Sequence, residues 1–302
     1  MNTYYNFFLA FCTFLTFKIS ASEPTKQKRA LTITESIAVG GLVGVAEVAL
    51  PGQPLTYATN SIIAAKAQKA RGLAQPMPKF HTAQIPSLIA KSYTGFGANA
   101  TGQLPITAMQ KVIQVKGSEL VEKWQDAKLT AMQKTTISLA AGTGGAIIDT
   151  PSNAIQLFLQ HPDNKGKTNL QAFRTLGTKS MRGFFPNAAF KEAPFTAGYQ
   201  VLRPECETLT SQVVDDQYAQ KVLGGATAGL ITAIATQPGT VLRNRMQSDL
   251  GGKTTLQTAK HIYSHEGFKG FMTGLSARGP RVWIAVPLYG FYSDILTDKI
   301  TE

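Results

Sequence analysis

Three times in this chain a run of small residues ends in a proline, and an amide follows nine positions later. The stretches are "GGLVGVAEVALPGQPLTYATN" at 40–60, "LAAGTGGAIIDTPSNAIQLFLQ" at 139–160 and "IATQPGTVLRNRMQ" at 234–247. They pair Pro51 with Asn60, Pro151 with Gln160 and Pro238 with Gln247, the prolines lying 100 and 87 residues apart. Recurrence on this scale marks an internal repeat and rules out any fold without one. A proline in a helix removes a hydrogen bond and kinks what precedes it, so each copy predicts a bent helix. Small residues four apart precede each proline: Gly40 and Gly44, Ala141 and Gly145, Gly225 and Gly229. They share a face and let neighbouring helices approach closely.

Each unit has a second half that opens on a glycine (Gly95, Gly183, Gly274) and continues as a largely apolar helical stretch. Two helices in each of three units predict six spans, with units at about 31–120, 128–210 and 216–300 in a domain over 31–300. Loop charge follows the same division. Residues 61–91 carry five basic residues and no acid, and 161–182 carry five basic and one acidic. Residues 248–270 carry three basic and two acidic; between units, 116–128 balance and 204–221 hold four acids to one base. Within-unit loops therefore share one side, which the positive-inside bias makes the inner face.

Composition narrows the class further. Charged residues are 16% and apolar residues 43%, with a mean hydropathy of −0.04. That is sparse in charge for a water-soluble domain and too polar for lipid-facing helices alone. Helices around a watery interior reconcile the two, because polar groups are tolerated there. A net charge of +12 asks for an anionic partner: nucleic acid, phospholipid or small anions. The basic residues alternate with apolar spans and form no single stripe, which argues against nucleic acid. Two cysteines support no disulfide framework, the four histidines form no metal-ligand pattern, and no nucleophile–base constellation suggests an enzyme.

The third unit carries a recognisable pattern in "PGTVLRNRMQ" and "EGFKGFMTG", through Pro238, Arg243, Arg245, Gln247, Glu266, Gly267, Gly270 and Gly274. This resembles the mitochondrial carrier family. The resemblance implies an all-α, six-transmembrane-helix bundle with threefold pseudosymmetry, acting as a monomer in the mitochondrial inner membrane among anionic phospholipids. In that family an acidic residue two beyond each proline and a basic residue five beyond it form an ion-pair ring closing the matrix side. Here the acidic positions hold Gln53, Asn153 and Thr240, and the basic positions hold Thr56, Gln156 and Arg243. The expectation is that no ion pair forms at those positions, only polar contacts. Braces beneath the ring correspond to Asn60, Gln160 and Gln247, and the kinks to Pro51, Pro151 and Pro238.

By the same resemblance, substrate lies near the midplane against Gly102 and Gln103, Lys191 and Glu192, and Arg281. Physics independently favours Arg281, because an ionisable side chain deep in a span is costly and is read as functional by default. A structural pairing with Glu47 or Asp294 is its alternative role. Lys191 and Glu192, adjacent on a helix, are expected to point apart or to pair across helices. Phe195 and Tyr199, four apart on one face, stand where nucleotide carriers place aromatics beside adenine, or simply pack.

The leading expectation is an exchanger of small anionic metabolites by alternating access, a nucleotide such as ATP or ADP being favoured, with no cofactor. Two alternatives stand beside it: an amino acid or carboxylate carrier, and a carrier-like adaptor that does not transport. The first thirty residues hold an apolar core too short to span, followed by small residues, as in a secretory signal. They read as a cleaved signal or as an apolar extension on the membrane, and leave room for delivery by an intracellular bacterium.

Overall fold

The structure, a computed structural model, describes residues 32–48, 52–70, 92–164, 166–248 and 254–301. The signal-like segment, Pro51, and the side chains of Glu47 and Asp294 lie outside the described residues. Within them the chain is helical throughout, with no strand. The long elements are α1 (Ile33–Glu47), α2 (Gln53–Ala70), α3 (Phe96–Gln125), α4 (Ala131–Gln160), α9 (Gln217–Ser248) and α12 (Leu275–Thr301). Shorter helices are α5 (Asn169–Leu176), α6 (Phe184–Asn187), α7 (Ala193–Ala197), α8 (Arg203–Thr210), α10 (Thr255–Glu266) and α11 (Phe268–Phe271).

Local sequence accounts for the starts of these helices. α1, α4, α5 and α10 each begin on a threonine with Glu or Gln three residues on: Thr32 and Glu35, Thr130 and Gln133, Thr168 and Gln171, Thr254 and Gln257. Both halves of the capping box form at all four, satisfying two orphan backbone groups each. α6, α7 and α8 run on as one helix through two π turns, Ala188–Glu192 and Gly198–Leu202. A proline lies just beyond each turn, Pro194 and Pro204. With no N–H to offer the carbonyl four residues back, it favours the wider i→i+5 pattern there.

Neighbouring long helices pack in sequence: α1 on α3, α3 on α4, α4 on α7, α8 on α9 and α9 on α12. α12 returns to α1 and α2, so the helices close a ring. The glycines that open the second halves lock this arrangement. Gly95, Gly183 and Gly274 are all left-handed, with φ of 80°, 75° and 83°. A Cβ on Gly95 would meet Gln156 of α4, one on Gly183 would meet Arg243 of α9, and one on Gly274 would meet Thr59 of α2. Each unit's second half thus lies against the first helix of the next unit, and the third lies against the first.

The ring is polar inside and apolar outside. Gln53, Thr150, Gln156, Asn187, Thr236, Gln237 and Asn244 are fully buried, whereas Leu104, Ile147, Phe185, Leu230, Ile231 and Ile234 are exposed. A water-soluble protein shows the opposite arrangement. No helix among the described residues is long and apolar enough in sequence to cross a membrane. The two-sided character explains this, since polar inner residues offset apolar outer ones in any average along a helix.

Candidate functional site

The ring encloses a cavity of about 200 Å³. Five cations line it (Lys111, Lys191, Arg243, Arg278 and Arg281) against two carboxylates, Asp149 and Glu192. Three positive charges are therefore in excess within one small space.

Asp149 organises the cluster. Its Oδ2 accepts from Lys191 Nζ at 2.7 Å, Arg243 Nη1 at 3.1 Å and Asn187 Nδ2 at 3.0 Å. Its Oδ1 accepts from Asn153 Nδ2 at 2.6 Å. Arg243 is buried and also donates to Asn187 Oδ1 and, through Nε and Nη2, to Asn244 Oδ1. A buried guanidinium needs such saturation, since removing one partner of a buried pair is strongly destabilising. The expectation that no ion pair forms at the ring positions is thus corrected at Arg243. Its carboxylate stands four residues before Asn153, one turn back on the same face.

Lys191 also pairs with Glu192, correcting the expectation that these neighbours point apart. Both belong to the π turn Ala188–Glu192, where the rotation per residue differs from an α-helix, and lysine's long stem reaches back.

The other ring positions are neutral. Gln53, at an acidic position, accepts from Nε2 of Gln156, at the next unit's basic position, at 3.1 Å. The Gln53 Nε2 donates to the carbonyls of Ser92 and Thr94 at 3.1 and 3.3 Å, and Asn99 donates to its Oε1. Thr56 and Thr240 turn their hydroxyls to their own helices, bonding Gly52 O and Thr236 O.

Amides lie below. Asn60 Nδ2 donates to Gln160 Oε1 at 3.0 Å, and Asn244 Nδ2 donates to Asn60 Oδ1 at 2.9 Å. α2, α4 and α9 are thereby tied at one level. Gln247 donates to Thr150 O at 3.0 Å. Pro151 and Pro238 lie within α4 and α9.

Of the residues expected to meet substrate, Arg281, Lys191, Glu192, Gln103, Phe195 and Tyr199 all line the cavity. Gly102 does not: it is buried, and a Cβ there would come within 2.8 Å of Ser152 Oγ. Its role is helix packing. Phe195 and Tyr199 pack against a buried cluster of Ala233, Val282 and Val286. The Arg203 guanidinium lies over the Tyr199 ring at 5.5 Å, so that ring face is already engaged.

Sequence reasoning missed Asp149, Lys111, Asn187, Asn244 and Arg278. Arg278 is buried and bonds Ala233 O, Gln237 Oε1 and Thr236 Oγ1 of α9. The rule that selected Arg281, a charge deep in an apolar stretch, also selects Arg278 and Asp149.

Residues 214–299 match the mitochondrial carrier protein family. Over 207 residues the chain is 25% identical to a probable mitochondrial 2-oxoglutarate/malate carrier protein of Dictyostelium discoideum, covering 61% of this chain and 64% of that protein. That alignment spans just under two thirds of the relative's length. Over 280 residues it is 23% identical to a probable mitochondrial 2-oxodicarboxylate carrier of the same organism, covering 86% of this chain and 90% of that protein. Nothing in these similarities supports a nucleotide cargo or delivery by a bacterium.

Proposed function

We propose that the chain is a member of the mitochondrial carrier family, whose model matches residues 214–299 and which both relatives resemble, and that it carries small dicarboxylates and oxo-dicarboxylates across the mitochondrial inner membrane. The observation that carries this reading is the excess of three cations over carboxylates around a cavity of about 200 Å³. A dianion fits that charge. The volume lies below the roughly 300–1,000 Å³ typical of sites for drug-sized ligands, which suits a compact metabolite better than a nucleotide. Both relatives are named as carriers of such acids. The packing of Phe195 and Tyr199 also speaks against a stacked base.

In this reading six spans in three equivalent units surround the substrate path, acting as a monomer. Arg281 grips one carboxylate bidentately, as guanidinium groups do, and Gln103 and Lys191 complete the binding level. Arg243 with Asp149, Gln53 with Gln156, and the amides beneath form the closure at one end. Substrate moves when that closure and its counterpart at the far end open in turn. A ligand shifts such an equilibrium only by binding one state better than the other. An incoming carboxylate that competes with Asp149 for Lys191 and Arg243 supplies that difference.

The test is exchange in liposomes containing the purified chain and loaded with 2-oxoglutarate. Saturable uptake of labelled malate, lost on R281A, is the expected result. Exchange of ADP or ATP with no exchange of either acid would overturn the substrate class. No exchange of any anion would favour a non-transporting scaffold.

A further inference from the structure

Five cavity-lining residues of α3 fall on one stripe: Gln103, Thr107, Gln110, Lys111 and Gln114. Their spacing of four, three, one and three is that of a single helical face. The lower end of the stripe is the binding level already described. The upper end is chemically distinct.

Lys111 lines the cavity, half-buried, and among the described residues no hydrogen bond or ion pair engages its ammonium. The two carboxylates of the cavity wall are both held by Lys191, and Asp149 by Arg243 as well. Three residues on, Gln114 carries a buried Nε2 with no acceptor. Residues three apart on a helix are surface neighbours. The terminal torsion of glutamine is broad, so the amide of this cavity-lining residue can turn about its last bond. Gln110 Nε2, between them, is occupied by Thr196 Oγ1 at 3.3 Å. A buried amide donor without an acceptor is costly, and so is a cation withdrawn from water without a counter-charge.

We infer that Lys111 and Gln114 form a second anion subsite, separate from the Arg281 level, that takes one carboxylate of the substrate. The inference rests on the carboxylate reading above. Its wall supplies donors and a positive charge with no acidic group, so it selects an oxyanion over a cation. Eight residues separate Gln103 from Lys111, a rise of about 12 Å along α3. The two levels are thus about two helical turns apart along the backbone, and the upper subsite is a further carboxylate contact on the same stripe.

The test uses malonate as probe and thermal unfolding of the purified full chain as readout. A ligand bound to the native state raises the midpoint in proportion to its affinity. The variants are K111Q, R281A, R281A/K111Q and R281A/K111R. R281A is expected to keep a weak malonate response, which K111Q in that background abolishes and K111R restores. K111Q alone should unfold without malonate where the wild type does, because no bond is lost. In liposomes it should raise the KM for malate about tenfold, the worth of one charge-assisted hydrogen bond, with kcat little changed. A malonate response in R281A/K111Q equal to that of R281A would overturn the subsite. So would a K111Q chain that fails to fold, which would make Lys111 structural. A wild type that exchanges no diacid, yet keeps a Lys111-dependent malonate response, would sink the transport reading and leave the subsite standing.

Discussion

Arg243 of α9 bonds Asp149 of α4 at 3.1 Å although a threefold pattern would pair it with residue 153. Position 153 is an asparagine, and its amide donates to the same carboxylate at 2.6 Å. One turn of helix separates the two positions, so an acid at 149 lies on the same face and within Arg243's reach. Asn153 supports that acid.

Replacing Asp149 tests whether this pair carries the closure. D149N leaves Arg243 without a carboxylate and Lys191 with Glu192 alone. Loss of one member of a buried pair costs about 3–5 kcal/mol, read as a lowered unfolding midpoint. D149N/R243Q removes both charges and should lose less than the two single variants added together.

Gln53 explains why an acid is absent from its own position. Its amide donates to the carbonyls of Ser92 and Thr94 while its oxygen receives Gln156 and Asn99. Q53E keeps the shape but turns an oxygen toward both carbonyls. Two lost hydrogen bonds and a buried carboxylate amount to about 3 kcal/mol or more, measured by denaturant unfolding in detergent. Q53E/Q156K, which installs the charged pair, should recover only part of it because the carbonyls stay unserved.

Helix approach makes a third test. A Cβ on Gly142 would stand 2.4 Å from Glu192 O and 2.6 Å from Ala193 Cα, both backbone atoms. Neither can rotate away, so G142A forces α4 from the π turn that carries Lys191. Overpacking of this kind costs about 1–3 kcal/mol. Binding of malate should weaken with it, since the Lys191–Asp149 contact spans the same seam.

The two cavity arginines on α12 should separate cleanly. Arg278 is spent on three acceptors of α9, so R278A is expected to lower the unfolding midpoint with or without ligand. R281A is expected to lose malate exchange by tenfold or more, roughly one charge-assisted bond. R281K, which keeps the charge but not the planar fork, should fall between.

The all-helical character and the close helix approaches at Gly44, Gly145, Gly225 and Gly229 were legible because each rests on a spacing that recurs. Gln103, Lys191, Glu192, Phe195, Tyr199 and Arg281, which the family resemblance had placed against substrate, line one space. Counting fails where the chain slides or widens. Asp149 escaped because the expected acid position is a fixed offset from Pro151, whereas a helix offers the same face one turn earlier. The Lys191–Glu192 contact escaped because adjacent residues of a regular helix diverge, and a π turn is not regular. Gly102 was misread because a glycine offers no side chain to tell cavity from seam.

The neutral bonds among Asn60, Gln160 and Asn244 have a consequence for energetics. Dipolar amides carry no net charge, so their attraction is not dissolved by a Debye atmosphere and does not titrate between acidic and alkaline compartments. A latch of ions would weaken as salt rises; this floor should hold equally in dilute and concentrated media. Ionic strength should then act on this protein through its charged cavity and the Arg243–Asp149 pair, and leave this amide layer untouched.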